Sequence, residues 1–246
     1  SARLAANGMT AAKDVLDHAQ GFLAALSPNG DLDLERPVRI GEHWHIVERG
    51  LSIKRYPACY CVHRLVDGAL ELAAKRPIAI DDIASIEVSL SKTHTTILKH
   101  HRPQTGLEAK FSAEFAVAAA LLAGNVGLRE VRDAYVLRPE VQQLMRRVSI
   151  VENENYDPEA LGFSVYDQVK VTLKDGRTLD GPQVRHALGN AKRPLGLEDL
   201  RRKFVDCFAA AGSRVDAERL FADLQRLEAL PSCRALVRGA LLSEAS

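Results

Sequence analysis

The sequence predicts an α+β fold, in which a small antiparallel sheet packs with helices and is flanked by helical segments at both ends. Apolar residues recur with helical spacing near both ends of the chain, whereas strand-like alternation is confined to the middle. The predicted strands do not alternate regularly with helices, as a parallel α/β sheet requires. At 246 residues, the chain can bury a substantial core as one large domain or two small ones.

The first third of the chain is predicted to be mostly helical. Residues 1–27 have helical spacing with a break at NGMT, and the following SPNGD is a strong turn signal. Residues 43–53 are predicted to be extended, with a glycine turn. A helix follows Pro57 and ends at Pro77, because proline cannot continue a helix. Its apolar residues form one stripe, which consists of Val62, Leu65, Val66, Ala69, Leu70 and Ala73.

The central region contains the predicted strands. Residues 83–91 alternate apolar and polar side chains, which indicates a half-buried strand. Residues 109–123 are apolar on nearly all sides and precede Gly124, which predicts a buried helix with a glycine C-cap. Two short helices are expected on either side of Pro139, and further strands at VSIVEN and DQVKVTLKDGRTLDGP, with KDG as a hairpin turn. Helices return from Leu197.

Composition excludes several classes of protein. The formal net charge of +1 gives no global attraction to nucleic acid or to an acidic membrane surface, so neither is expected as a partner. No apolar run approaches the roughly 20 residues that span a bilayer. Four cysteines are too few for a disulfide-stabilised fold of this size, which favours a reducing cytoplasm as the location. The chain begins with Ser1, which indicates processing or a piece of something longer.

Cys59, Cys61 and His63 suggest a metal site, but their spacing argues against it. On a helix, positions two apart point about 200° apart, so Cys61 would face away from the other two. No second Cys/His pair follows at zinc-finger spacing, and there is no Cys-x-x-Cys redox motif. We therefore expect no metal.

Lysine and histidine side chains are the stronger candidates. Lys54 stands just before the helix that follows Pro57, where an ammonium group could anchor a carboxylate together with free N–H groups of the first turn. The alternative is a solvated surface lysine. His63 could transfer protons or be a satisfied core residue. Lys110 could face a pocket or form an i, i+4 ion pair with Glu114.

A basic stretch, KTHTTILKHHRP, contains His94, His100 and His101. It could bind anions, but a flexible, solvated segment is the preferred interpretation. No glycine-rich phosphate loop and no Gly-x-Ser-x-Gly elbow occurs in the sequence, so neither nucleotide binding nor a serine hydrolase is assigned.

These same segments resemble the MmgE/PrpD family, whose members include 2-methylcitrate dehydratases, cis-aconitate decarboxylases and iminodisuccinate epimerases. The resemblance is carried in order by IKRYPACYCVHRLVDGALEL, IDDIASIEVSL, HRPQTGLEAKFSAEFAVAAALLAGNVG, VKVTLKDGRTLDG and GNAKRPLGLEDLRRKF. Family members are about twice as long. The resemblance therefore implies a C-terminal half, with residues 1–34 as the end of a helical domain, 35–188 as an α+β lid domain, and 189–246 as helices that return to the helical domain.

The resemblance implies roles for five residues. Lys54 matches the lysine of the Lys-x-Tyr/Phe-Pro motif and His63 the histidine nine positions later, which makes both candidate catalytic residues. Lys54, Cys59, Lys110 and Phe115 are the implied substrate-binding residues. The chain departs from the decarboxylases at Cys59, where they have histidine, and at Phe115, where they have tyrosine.

The implied function is part of a metal-independent lyase or isomerase, without a cofactor, that acts on small di- or tricarboxylates as 2-methylcitrate dehydratase does. Such a part is expected to be inactive without the N-terminal half, and to form a homodimer or pair with that half. The alternative is a non-catalytic association module or the small subunit of a two-chain enzyme, because terminal helices cut from their partners would expose apolar faces.

Overall fold

The structure is a computed structural model that describes residues 2–19, 21–27, 41–42, 44–160, 162–230, 232–234 and 236. The chain divides into two compact units, Ser1–Glu48 and Arg49–Ser246. The first unit includes α1 (Ala2–Ala6) and α2 (Phe22–Leu26), and α3 (His45–Arg49) ends just past its boundary. The predicted boundary between residues 34 and 35 lies outside the described residues, as does most of the predicted SPNGD turn.

The second unit is built on a four-stranded sheet with the order β2-β1-β3-β4. The strands are β1 (Ile83–Leu90), β2 (Val148–Glu152), β3 (Gln168–Leu173) and β4 (Thr178–Asp180). The α+β class is confirmed, but the sheet is mixed rather than purely antiparallel, because β1 pairs with β2 in parallel and with β3 antiparallel. The chain between β1 and β2 is a long helical crossover, which is the connection that a parallel pair needs.

The second unit also contains helices. They are α4 (His63–Lys75), α5 (Lys92–Ile97), α6 (Gly106–Ala109), α7 (Ala113–Ala123), α8 (Asp133–Val136), α9 (Pro139–Met145), α10 (Leu197–Ala210) and α11 (Ala217–Leu224). Helices α4 and α7 pack against each other, and they contact β3 and β2 respectively. Every residue of α7 from Ala113 to Ala120 is buried, so this helix forms the centre of the core. Among the described residues, no helix has the length and apolar character needed to cross a membrane.

Two predicted elements differ in the structure. Residues 45–49 are helical rather than extended, and Gly50 follows them with a φ of +70°, the left-handed conformation in which helices commonly end. The buried helix begins at Ala113 instead of residue 109, because the Ser112 hydroxyl caps it by accepting a hydrogen bond from the Phe115 N–H at 3.1 Å. Residues 106–109 form the separate helix α6.

Gly189 fixes the segment that leads into the Lys54 motif. Its carbonyl accepts a hydrogen bond from the Ile53 N–H at 2.7 Å, and its own N–H donates to Arg193 at 2.8 Å. Its φ is +96°, and a Cβ at this position would collide with the carbonyl oxygen of Ile53. The close approach of two backbones therefore requires glycine here.

We expect Gly189→Ala to lower the free energy of unfolding by more than about 3 kcal/mol, because it adds a backbone collision to the cost of roughly 1–2 kcal/mol for a non-glycine residue at positive φ. Gly176→Ala is the matched control, since Gly176 has a φ of +86° and open space around its Cβ position. Urea denaturation of the 246-residue chain compares the two variants. Equal losses would contradict the predicted close approach.

Candidate functional site

A buried hydrogen bond anchors the Lys-x-Tyr-Pro segment onto α4. The Tyr56 hydroxyl donates to Asp67 Oδ1 at 2.6 Å, and Asp67 Oδ2 accepts from the Leu188 N–H at 2.5 Å. Burial raises the pKa of Tyr56, and the negative charge of Asp67 raises it further, so the hydroxyl stays protonated and remains a donor. The segment before α4 is thereby tied to both α4 and the backbone near residue 188.

Lys54 lies on this anchored segment with an exposed side chain. Its Nζ donates a hydrogen bond to the Ala58 carbonyl at 3.3 Å. This holds the ammonium group near the 3₁₀ turn Tyr60–Val62, which precedes α4. In the part of the chain that the structure describes, no carboxylate forms an ion pair with Lys54. Its charge is therefore available to an acidic ligand.

Cys59 and Cys61 are free, half-buried thiols beside this lysine. A hydrogen bond from the Cys61 thiol lowers the pKa of Cys59 to about 6, and the nearby charges of Lys54 and His94 act in the same direction. The same interaction raises the pKa of Cys61. The interaction therefore favours the thiolate of Cys59, with the Cys61 thiol as the donor. Among the described residues, no three His, Cys, Asp or Glu side chains are grouped as metal ligands.

His63 is fully buried at the start of α4. Its ring lies 5.1 Å from that of Tyr56 and 5.0 Å from that of Tyr60, measured between centroids. Within the described residues, neither ring nitrogen has a hydrogen-bond partner of good geometry. Desolvation lowers the pKa of His63 to about 4, and the charge of Lys54 acts in the same direction. The imidazole is therefore neutral at pH 7, and its role in proton transfer stays a prediction.

Lys110 lies next to Cys59, because its carbonyl accepts a hydrogen bond from the Cys59 N–H at 2.9 Å. The alternative ion pair with Glu114 does not form. Glu114 is buried, and its carboxylate instead contacts His101 Nδ1 at 2.8 Å and the Ser112 hydroxyl at 3.3 Å. Lys110 ends α6 and is half-buried, so backbone pairing brings its residue into the Lys54–Cys59 neighbourhood.

Phe115 is placed in the core rather than on an open surface. It is 1% exposed, and its ring meets that of Tyr135 edge-on at a centroid distance of 6.5 Å. The structure thus groups Lys54, Cys59, His63 and the Lys110 backbone around the start of α4. Phe115 belongs to the next helix inward, α7, and its assignment to substrate binding stays a prediction.

The sequence-based interpretation missed a buried polar group around His94. The KTHTTILKHHRP stretch is not uniformly solvated, because His94 and Leu98 are buried and residues 92–97 form α5. Two signals pointed to this helix: Ser91 is in an N-cap position, and His94 and Leu98 are spaced four apart on one face. The partner of His94, Asp167, is 73 positions later, which no local pattern indicates.

Comparisons with known proteins agree with the resemblance of these segments to the MmgE/PrpD family. Residues 56–227 match the MmgE/PrpD C-terminal domain. The chain is 27% identical to cis-aconitate decarboxylase of Mus musculus and 28% identical to that of Homo sapiens, in each case over 96% of its length. It is 26% identical to 2-methylcitrate dehydratase of Cupriavidus necator over 86% of its length. These alignments cover 48%, 49% and 45% of the relatives, so the chain spans about half their length.

The buried, neutral state of His63 predicts a specific loss of stability in acid. The unfolded histidine binds a proton below its ordinary pKa of about 6.5, whereas the folded one does so only below about 4. Stability therefore falls as the pH drops through this window, by about 3 kcal/mol from this residue. Urea denaturation at about pH 7, 5.5 and 4.5 should show a shallower loss in His63→Phe than in the unmodified chain. Identical pH dependence in both would contradict a buried neutral histidine.

Proposed function

Because the chain belongs to the MmgE/PrpD family, we propose that it is the C-terminal part of a metal-independent lyase or isomerase acting on small di- or tricarboxylates. A dehydratase that resembles 2-methylcitrate dehydratase is the favoured activity. The relatives' names mention cis-aconitate and 2-methylcitrate, which are both tricarboxylic acids. The observation that carries the proposal is the ammonium group of Lys54 beside the start of α4, which forms no ion pair with a carboxylate among the described residues.

The proposed chemistry is removal of a proton next to a carboxylate, followed by loss of water or by reprotonation. Negative charge then develops on the carboxylate, which becomes an enolate-like group. A fixed cation stabilises this transition state more strongly than it stabilises the ground state. Lys54 supplies the cation, and Lys110, whose carbonyl accepts the Cys59 N–H, is proposed as a second. The neutral imidazole of His63 has the protonation state of a base at pH 7, and Cys59, whose pKa is lowered, is a second candidate proton acceptor.

The proposal includes a division of labour between two halves. The chain spans about half the length of its relatives, so the remaining acid–base groups are assigned to the other half. We accordingly propose that this chain alone does not turn over substrate, that it works as a homodimer or together with an N-terminal half, and that it does so in the cytoplasm.

A second candidate is a non-catalytic association module, or the small subunit of a two-chain enzyme. Helix α10 has no buried residue, although its apolar side chains lie on one face. With α11 it forms an apolar groove of about 450 Å³, lined by Ile53, Leu200, Phe204, Phe208, Phe221 and Leu224. Phe204 lies 4.8 Å from Phe208 and 5.5 Å from Phe221 between ring centroids. Such a surface favours a protein partner.

Lys54→Ala is expected to weaken citrate binding at least tenfold in titration calorimetry, because a charge-assisted hydrogen bond contributes about 1.5–3 kcal/mol. Lys75→Ala is the matched control, since Lys75 is an exposed lysine at the other end of α4. In the same experiment, the unmodified chain should show no dehydration of 2-methylcitrate. An equal effect of both substitutions, or clear turnover by the chain alone, would falsify the proposal.

The association-module reading makes a different prediction. Light scattering after size-exclusion chromatography should then show a discrete oligomer, and Leu200→Asp should dissociate it by placing a charge in the apolar groove. Ala209→Asp adds the same charge at an exposed position of α10 outside the groove and should leave the oligomer intact. A discrete oligomer that does not bind citrate supports the module. A monomer that binds citrate in a Lys54-dependent manner rules it out.

A further inference from the structure

Two cysteines with free thiols lie together at the start of the 3₁₀ turn Tyr60–Val62. Cys59 is the N-cap of this turn and has a non-helical backbone, with a φ of −55° and a ψ of 138°, whereas Cys61 lies within the turn. The rule that helical residues two apart face opposite ways therefore does not apply to this pair. The Cys61 thiol donates a hydrogen bond to Cys59 instead. Both side chains are only half-buried, so solvent reaches them.

The separation of the two cysteines fits a disulfide bond. Tyr60 stands between them and is helical, and a helical residue holds the Cα atoms on its two sides about 5.5 Å apart. Disulfides form at Cα separations of about 4.4–6.8 Å. The backbone of Cys59 is also fixed on both sides, because its N–H donates to the Lys110 carbonyl at 2.9 Å and its carbonyl accepts from the Val62 N–H at 3.2 Å. The fold therefore holds the two thiols at a distance that a disulfide accepts.

The surroundings of the pair make the two thiols unequal. The hydrogen bond from Cys61 lowers the pKa of Cys59, and the nearby Lys54 and His94 act in the same direction. That hydrogen bond raises the pKa of Cys61, and burial and the charge of Asp167 raise it further. Since the thiolate and not the thiol attacks an oxidant, Cys59 is the sulfur prepared to react first. Cys61 keeps its proton and lies next to the product of that reaction.

We propose that Cys59 and Cys61 form a peroxide-sensitive dithiol, in which Cys59 is oxidised first and Cys61 then closes a reversible disulfide. The Cys59 thiolate attacks one oxygen of hydrogen peroxide, the O–O bond breaks and hydroxide leaves, so the sulfur becomes a sulfenic acid while the peroxide is reduced. The Cys61 sulfur then attacks the sulfenic sulfur, and the hydroxyl group leaves as water with the Cys61 proton. Two electrons have then passed from the two thiols to one peroxide.

This modification site goes beyond the proposed function and does not depend on it. The disulfide removes the thiolate near Lys54 together with the thiol that donates to it, so oxidation changes the charge beside the start of α4. Both cysteines lie in the Arg49–Ser246 unit, and the reaction needs only a peroxide. The masses of peptides therefore report it without any substrate and without another half of the protein.

Mass spectrometry of the 246-residue chain tests the proposal. Trypsin places Cys59 and Cys61 together on peptide 56–64, and Cys207 and Cys233 on peptides 204–214 and 227–234. The reduced chain is treated with hydrogen peroxide at pH 7, and the remaining thiols are blocked with iodoacetamide. Peptide 56–64 should lose two hydrogen atoms and take up no iodoacetamide, about tenfold or more faster than Cys207 or Cys233 is oxidised. Dithiothreitol should then restore both thiols.

Two variants separate the roles of the cysteines. In Cys61→Ser no disulfide can close, so oxidation of Cys59 should stop at a sulfenic acid that dimedone traps on peptide 56–64. In Cys59→Ser, Cys61 should resist the same dose of peroxide. The urea-denatured chain is the matched control, because unfolding removes the hydrogen bond and should abolish the faster reaction of Cys59. Circular dichroism checks the fold of each variant, and if either fails to fold, the peptide masses of the unmodified chain decide alone.

Two results would overturn the proposal. One is oxidation of Cys207 and Cys233 as fast as that of Cys59 in the folded chain. The other is a sulfenic or sulfinic acid at Cys59 of the unmodified chain with no disulfide to Cys61, which would make Cys59 a reactive thiol without a partner. Neither result concerns citrate binding by Lys54, so either would refute the dithiol and leave the proposed function standing.

Discussion

The candidate site depends on one buried hydrogen-bond pair, Tyr56 with Asp67. Asp67 is 2% exposed, and a buried carboxylate is costly unless donors surround it. Here the Tyr56 hydroxyl and the Leu188 N–H each donate to one oxygen, while Arg55 and Arg193 approach within 3.8 and 3.7 Å. Three distant parts of the chain therefore converge on one carboxylate. Without it, the Lys54 segment, the first turns of α4 and the backbone near residue 188 would have no common anchor.

This anchor also sets the electrostatics around Lys54. Tyr56 covers one side of His63, and Tyr60 covers another, so the imidazole is desolvated and neutral. Cys59 is four residues earlier but half-exposed, and the Cys61 thiol hydrogen bond stabilises its anion. The pKa values of both groups are thus lowered, which keeps the His63 imidazole neutral and favours the thiolate of Cys59.

The sequence predicted those features that depend on local periodicity and failed where distant residues decide. The stripe in α4, the alternation in β1 and the apolar character of α7 each specify an element through its own burial pattern. The parallel pairing of β1 with β2 depends on the length of the crossover, and the pattern within a strand does not report it. Partners such as Asp167 for His94 and His101 for Glu114 are likewise chosen by the tertiary fold.

The two departures from the decarboxylase pattern both affect which side chains can donate a proton. The resemblance implies histidine at the position of Cys59 and tyrosine at that of Phe115. A thiol with a pKa near 6 can accept a proton, but it lacks the second nitrogen that lets an imidazole accept and donate at once. Phe115 is 1% exposed and has no hydroxyl, so it can neither protonate a carbanion nor bind a carboxylate. Decarboxylation needs a proton delivered where carbon dioxide leaves, whereas dehydration needs one removed from carbon. The side chains present fit the second requirement better, which is why we propose a dehydratase.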